Sequence, residues 1–172
     1  MDGLRVVDSL AGVAAAEWNA LTDGNPFVRH EFLSALIESG CASARTGWQP
    51  QFLLLERGRR LAAAMPLFVK SHSYGEYVFD WAWADAYQRH GLEYYPKLLC
   101  AVPFTPVAGP RLLAVDDEAR RTLVAGALEA AREFSSLHVL FPGAAEAALM
   151  RDAGMLLRRT VQFHWENHDY AE

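Results

Sequence analysis

The sequence predicts an α/β domain, and three observations predict it. Short apolar runs of strand length alternate along the chain with segments whose apolar residues recur at helical spacing. Two such runs, 50–56 and 61–69, flank a turn-sized loop that contains glycine, which is a hairpin signal. Three acids at 116–118 begin a long helix where the helix dipole favours negative charge, and the apolar run 136–141 follows it as a buried strand.

The N-terminal third is predicted to form one strand and two helices. Residues 3–8 are typical of a short strand, and Ser9 is placed to cap a helix over about 10–21. Asn25-Pro26 predicts the start of the second helix, because asparagine caps free N–H groups and proline fits the first turn. Gly40 is expected to end that helix.

The second half continues the alternation after an irregular aromatic stretch. Three prolines within Pro103–Pro110 exclude regular helix, so an extended loop is expected to lead into a strand at 111–114. Residues 144–153 predict a helix that Gly154 stops, and 155–165 predict a last strand.

Bulk composition excludes several classes of protein. The 172 residues suit one domain, and 52% hydrophobic with 22% charged residues is a globular composition. A formal net charge of −5 argues against DNA as a partner. Cys41 and Cys100 have no metal-like spacing and suit a reducing cytosol, although a disulfide between them stays open. No apolar run of about 18 residues occurs, so we expect a cytoplasmic protein without a membrane span.

Acids and rings crowd together in SHSYGEYVFDWAWADAY, residues 71–87. One interpretation makes the acids candidate general bases for a nucleophilic amine, since a carboxylate among rings can have a raised pKa. The other interpretation is that they cap turns or pair with Lys70, Lys97 or Arg111. Asp80 and Asp85 are the first pair to test, because neighbouring tryptophans could shield them from water. The candidate catalytic residues are therefore Glu76, Asp80 and Asp85.

The rings have two interpretations as well. They could line a groove for a sugar or a peptide, or they could fill the core of an irregular region. The three cations could bind a phosphate or carboxylate of the ligand, or could serve structural salt bridges. The candidate substrate-binding residues are Lys70, His72, Tyr74, Trp81, Trp83, Tyr87, Tyr95, Lys97 and Arg111.

Metal binding is not predicted. His72, Glu76 and Asp80 are spaced by four residues, which would suit a metal only on a helix, and Gly75 with the β-prone residues after it argues against one. His164 and His168 have the same spacing at an expected strand end.

The order of elements resembles the GNAT (Gcn5-related N-acyltransferase) fold, so we expect a GNAT-like mixed sheet flanked by helices. The stretches KSHSYGEYVFDWAWADAY, GLEYYPKLLCAVPFTPVAGPRLL and VQFHW resemble a bacterial family of predicted N-acyltransferases related to the Fem-type peptidyltransferases of peptidoglycan synthesis. This resemblance covers essentially the whole chain. It implies acyl or aminoacyl transfer to an amine of a cell-wall precursor.

The same resemblance implies a longer protein. Family members have about twice this length, as two GNAT-like halves in tandem, and residues 1–172 match the first half only. We therefore expect the isolated domain to be inactive alone, and to associate with a second half or with itself.

One departure from acetyl-CoA-binding GNAT domains concerns the cofactor. Those domains carry a glycine-rich turn whose N–H groups hold a pyrophosphate. Residues 111–118 lack glycine here and begin the following helix with three acids, so no cofactor is expected in this domain. The sequence thus leaves two functions, an N-acyltransferase domain and a non-catalytic module that recognises peptidoglycan-type ligands.

Overall fold

The computed structural model describes residues 3–78, 80–159, 161–163 and 165–169. Over these residues the chain forms five α-helices and eight strands. The helices are α1 Ala15–Asn19, α2 His30–Glu38, α3 Trp81–Arg89, α4 Asp117–Ala130 and α5 Ala144–Asp152. The strands are β1 Gly3–Val7, β2 Gln49–Pro50, β3 Phe52–Arg57, β4 Arg60–Met65, β5 Leu67–Lys70, β6 Lys97–Cys100, β7 Leu113–Ala114 and β8 Leu137–Val139.

The strands form two four-stranded sheets within the described chain. The first, in the order β1-β3-β4-β7, is antiparallel throughout. The second, in the order β2-β5-β6-β8, is mixed, because β8 runs parallel to β6 while the other pairs are antiparallel. The α/β class is confirmed, and the sheet that the sequence predicts as one is two sheets in the structure.

Pro66 marks the point where the chain passes from one sheet to the other. The predicted hairpin is present as β3 and β4. The strand predicted over 61–69 is interrupted, because β4 ends at Met65 and β5 begins at Leu67 in the second sheet. Proline supplies no N–H for a ladder, which is why it is tolerated at a break between two pairings.

The first sheet is covered on both faces. Phe52 and Leu54 of β3 pack into one core with Trp18 of α1, whereas Leu53 and Leu55 pack into the other core beneath α4. Successive side chains of a strand point to opposite faces, so a strand buried on both faces is apolar at every position. This burial accounts for the uninterrupted apolar run at the start of β3.

The predicted helix boundaries are wrong in the N-terminal third. Only Ala15–Asn19 of the predicted 10–21 is α-helical, and the Ser9 hydroxyl accepts from the Ala11 N–H at 3.2 Å within a turn instead of capping that helix. Asn25 does cap the next segment, through the Phe27 N–H at 3.0 Å. That segment is a single 3₁₀ turn, and α2 begins only at His30.

Three further expectations differ from the structure. The sequence did not predict β6, and α3 forms within the stretch expected to be irregular. The described residues of the predicted strand 155–165 form no strand, and Thr160 and His164 of that segment lie outside the described residues. By contrast, α4, α5 and β8 form where they are predicted.

Candidate functional site

The chain contains only two lysines, Lys70 and Lys97, and both are fully buried. They stand directly opposite each other across the antiparallel pair of β5 and β6. Two like charges in that position destabilise a sheet, and lysine is almost never buried unless it is paired. The second sheet therefore needs buried acids beside these lysines.

The loop between β5 and α3 supplies those acids. The Lys97 ammonium lies 2.9 Å from Glu76 Oε2 and 2.6 Å from Asp80 Oδ2, and it donates to the Ser73 hydroxyl at 2.9 Å. All four side chains are buried. We call Ser73, Glu76, Asp80 and Lys97 the buried ionic cluster.

Asp80 is held at one oxygen by several donors. Besides the Lys97 ammonium, its Oδ2 accepts from the Ser73 hydroxyl at 2.8 Å and from the Tyr94 hydroxyl at 2.9 Å. The Tyr95 hydroxyl extends the network to Ser73 at 2.7 Å. Burial works to raise the pKa of Asp80, but the hydrogen bond and charge of Lys97, aided by Ser73 and Tyr94, outweigh it and leave the pKa lowered. Asp80 is thus an anion at neutral pH.

The pKa values of Lys70 and Glu76, unlike that of Asp80, are shifted toward the neutral form of each side chain. Burial lowers the pKa of Lys70 to about 7, although the charge of Glu76 opposes the shift. Its ammonium lies 3.7 Å from the centre of a Trp48 ring and donates to the Tyr74 carbonyl at 3.1 Å. Burial also raises the pKa of Glu76 against the attraction of Lys97. The site therefore holds one firm anion, Asp80, beside two groups whose charge is easily lost.

Two carboxylate oxygens of the cluster have no hydrogen-bond partner. They are Glu76 Oε1 and Asp80 Oδ1, both inaccessible and both unbonded to any described part of the chain. An unsatisfied buried acceptor on a charged group is costly. Each of these oxygens is therefore an acceptor left over within the cluster.

Asp80 also borders a cavity of about 400 Å³. The cavity lies between Asp80, residues 137–142 at and after β8, the inner side of α5 and residues 155–158. Its size is within the range of small-ligand pockets. Because Asp80 belongs both to the buried ionic cluster and to the cavity wall, it is the candidate contact between the protein and a ligand.

His138 is a further polar residue of the cavity, and the sequence analysis missed it. Its Nε2 lies 2.9 Å from the Ser136 hydroxyl, and its ring stands edge-on to Tyr94 with 6.1 Å between ring centres. Burial, and then the charge of Lys97, lower the pKa of His138 to about 4, so the imidazole is neutral at pH 7. A single histidine inside the otherwise apolar run 136–141 was the signal available in the sequence.

The rings of the aromatic segment divide between surface and interior. Tyr74, Tyr77, Trp81 and Trp83 each expose more than half of their surface. Tyr74 and Trp81 meet edge to face at 5.8 Å, which forms an aromatic patch beside the loop that carries the acids. Half-buried Tyr87 packs instead on Tyr94 at 5.2 Å.

The structure does not bring every candidate into this site. Asp85 is exposed on α3 and pairs with Arg89 at 2.9 Å. Arg111 is fully buried, and its guanidinium donates to three backbone carbonyls, those of Val107, Pro110 and Leu140.

His72 lies at the edge of the aromatic patch, with its ring centre 5.0 Å from that of Tyr74. Its pKa is lowered by partial burial and then by the charge of Lys70. Among the described residues, no group of three or more His, Cys, Asp or Glu side chains could hold a metal ion. In the same part of the chain, no helix has both the length and the apolar character that a membrane span requires.

Comparison with known families identifies the family of the chain. The family model of the FemAB-like proteins, described as peptidoglycan biosynthesis/recognition, matches residues 9–172. The chain belongs to the FemAB-like family. Its role accordingly lies in the biosynthesis or recognition of peptidoglycan. The search of curated proteins and the search of solved structures gave no match.

The first turn of α4 in this FemAB-like chain is occupied by its own acids. The Asp116 side chain accepts from the Ala119 N–H at 2.7 Å. Asp117 pairs with Arg120, and Glu118 lies 3.4 Å from Arg57. A helix N-terminus that is already capped and surrounded by carboxylates is a poor place for a phosphate.

Proposed function

We propose that this chain is a GNAT-like N-acyltransferase domain that binds an amine-bearing, peptidoglycan-type substrate and takes part in acyl or aminoacyl transfer to that amine. The observation that carries the proposal is the state of Asp80. Its Oδ2 accepts three hydrogen bonds, its Oδ1 has no partner among the described residues, and the residue lines the cavity.

An ammonium group is the ligand that fits this carboxylate. A buried carboxylate with one unpaired oxygen favours a cationic hydrogen-bond donor, and charge-assisted hydrogen bonds are the strong ones. Because Asp80 Oδ1 is inaccessible in the free chain, the cavity wall would have to adjust for the amine to reach it. The lowered pKa of Asp80 keeps the anion in place at neutral pH. Asp80 would thus hold and orient the amine, with Lys97, Ser73 and Tyr94 fixing its position.

Removal of the amine proton calls for a different group. An amine attacks an acyl carbon only when it is neutral, and a base of lowered pKa is a weak acceptor for its proton. Glu76, whose pKa is raised and which shares Lys97 with Asp80, is the better proton acceptor of the two acids. We propose that the proton passes from the amine to Asp80, and that Lys97 gives a proton to Glu76 as it takes this one from Asp80. Asp80 is then the residue in contact with the substrate, and Lys97 ends the step as an ammonium.

The remaining candidates keep narrower proposed roles. The exposed rings of Tyr74, Trp81 and Trp83 suit the sugar or peptide portion of a cell-wall precursor. We propose that Lys70 and Lys97 act through the acids, since both lysines are buried. A second half or a second copy of the chain as partner, and the absence of a cofactor, also stay proposals.

A non-catalytic recognition module is the second candidate function. The acids at the N-terminus of α4 favour it, since acetyl-CoA would place a pyrophosphate where Asp116, Asp117 and Glu118 lie. In that case the same Asp80 site binds the amine and no transfer follows. Titration with acetyl-CoA, and an assay for acyl transfer, separate the two functions.

The test of the amine site compares two peptides and three proteins. The peptides are Ala-Ala-Lys-Ala-Ala with blocked termini and the same peptide acetylated on its lysine amine, titrated by calorimetry. Asp80→Asn should weaken binding of the amine peptide about tenfold or more, because one charge-assisted hydrogen bond is lost. Asp85→Asn is the matched control, since that exposed acid pairs with Arg89 and should leave binding unchanged.

The acetylated peptide is a control for the case in which Asp80→Asn weakens binding only because the variant is misfolded. It removes the ammonium without touching the protein, and the wild-type chain should bind it at least about tenfold more weakly. Equal binding of the two peptides by wild-type protein would contradict the proposal, whatever the variants do.

A further inference from the structure

The cavity has a second feature besides Asp80, which is the open edge of β8. β8 is the last strand in the order β2-β5-β6-β8, so within the described chain it pairs on one side only, with β6. Residues 137–141 all line the cavity. Directly after β8 the chain is already bridged, because the Gly109 N–H donates to the Phe141 carbonyl at 3.1 Å. The unpaired part of the edge, at β8 itself, and Asp80 therefore border the same space.

The hydrogen bonds to β6 show which main-chain groups are already used. The Leu98 N–H donates to the Ser136 carbonyl at 2.9 Å, and the Leu140 N–H donates to the Cys100 carbonyl at 2.9 Å. Main-chain groups of successive residues in a strand alternate between its two sides. Residues 136, 138 and 140 therefore turn toward β6.

By the same alternation, the N–H and C=O groups of Leu137 and Val139 turn toward the open edge. Backbone groups of this kind need partners wherever water is excluded. Two donors and two acceptors, repeating every second residue, match the main chain of another extended segment. Neither a sugar nor a free amino acid supplies main-chain groups at a spacing of about 3.3 Å per residue.

We propose that the cavity binds an extended peptide, which adds as a strand beside β8 and places a side-chain amine at Asp80. This inference rests on the proposed function and adds how the ligand is held, by main-chain pairing along the open edge of β8. Main-chain bonds to Leu137 and Val139 supply affinity that is independent of sequence, and the amine at Asp80 supplies specificity. The rest of the lining includes the apolar Met150 and Met155 and the cationic Arg151 and Arg158.

The amide hydrogens of three consecutive residues test the strand addition. In the free 172-residue chain, the amides of Leu137 and Val139 should exchange with solvent quickly, and that of His138 slowly, because His138 already bonds to β6. Adding blocked Ala-Ala-Lys-Ala-Ala should slow exchange at Leu137 and Val139 by about tenfold or more and leave His138 unchanged. His138 is thus an internal control, and NMR resolves all three amides.

A modified peptide separates this inference from the proposed function. N-methylation of the alternate amides that face β8 removes donors and keeps the lysine amine, so it should weaken binding about tenfold. If the methylated peptide binds as well as its parent while lysine acetylation still abolishes binding, the amine site stands and the strand addition is overturned.

The chain's own C-terminal segment is the other possible occupant of this edge. Apolar residues alternate there at Leu157, Val161, Phe163 and Trp165, and each has at least half of its surface exposed. Slow exchange of the Leu137 and Val139 amides already in the free protein would show that this segment fills the edge. That result would overturn the inference.

Discussion

The Lys97 ammonium and the Asp80 carboxylate lie 2.6 Å apart, with no exposed side-chain surface on the lysine and 4% on the aspartate. Glu76 shares the same ammonium. One cation thus sits between two acids in the interior of the second sheet, and Asp80 faces the cavity as well. The stability of the domain and the chemistry of its site therefore depend on the same three side chains.

Replacing the buried cation should destabilise the fold strongly. Lys97→Met leaves Glu76 and Asp80 buried without their counter-ion, and breaking a buried pair in this way costs about 3–5 kcal/mol. Urea unfolding measures the loss. Arg89→Met is the matched control, because it removes a cation from an exposed pair with Asp85 and should cost less than about 1 kcal/mol. Equal losses in the two variants would contradict the buried ion pair.

Stability should rise with pH above neutrality because of Lys70. Its folded-state pKa is about 7, below its ordinary value of 10.5. Between these values the unfolded chain binds more protons than the folded chain, so the free energy of unfolding increases with pH. The slope approaches about 1.4 kcal/mol per pH unit for one group, and it disappears below pH 7, where both states are protonated.

Lys70→Met isolates this contribution. Urea unfolding at several pH values from 7 to 9 should show the rise in wild-type protein and a flatter dependence in the variant. Parallel curves for the two proteins would show that another group causes the rise, or that Lys70 keeps its ordinary pKa.

Amine-reactive reagents should discriminate between folded and unfolded protein. Because both lysines are fully buried, an N-hydroxysuccinimide ester should modify neither lysine of the native chain. In denaturant, mass spectrometry should show modification of both Lys70 and Lys97. Rapid labelling of either lysine in the native chain would be incompatible with the buried ionic cluster.

Glu146 should stabilise the buried segment that follows Pro110. Its carboxylate accepts from the Arg111 N–H, at 3.0 Å to each oxygen, and from the Leu112 N–H at 2.8 Å. Glu146→Ala leaves two buried donors unpaired, and each costs about 1–3 kcal/mol. Thermal unfolding monitors the effect, with the exposed Glu129→Ala as control, which should change stability by less than about 0.5 kcal/mol.

Sequence patterns predicted the position of those elements whose ends carry clear local signals. The helix at α4, the helix at α5 and the hairpin of β3 and β4 form where they are predicted. Each combines a clear start or stop signal with a stripe or run of apolar residues, and those signals act over a few neighbouring residues. The strand β6 was missed, because Lys97 at its start is a charged residue in a fully buried position.

The resemblance of the aromatic and proline-rich stretches predicted the Fem-type family, and the family comparison confirms it. The sequence also indicated Glu76 and Asp80 as candidate catalytic residues, and Lys70 and Lys97 as candidate substrate-binding residues. It could not decide which acid meets which cation, since these side chains come together through contacts 17 and 21 residues apart in the chain.

By itself, then, the sequence determined the α/β class and the family, and it singled out the segment in which we propose the site. Only the tertiary structure decided that Asp80 is buried against Lys97 while Asp85 stays in solvent with Arg89. Local patterns record which residues prefer helix or strand. The ionisation and exposure of a side chain depend instead on the strands and loops that the fold places around it.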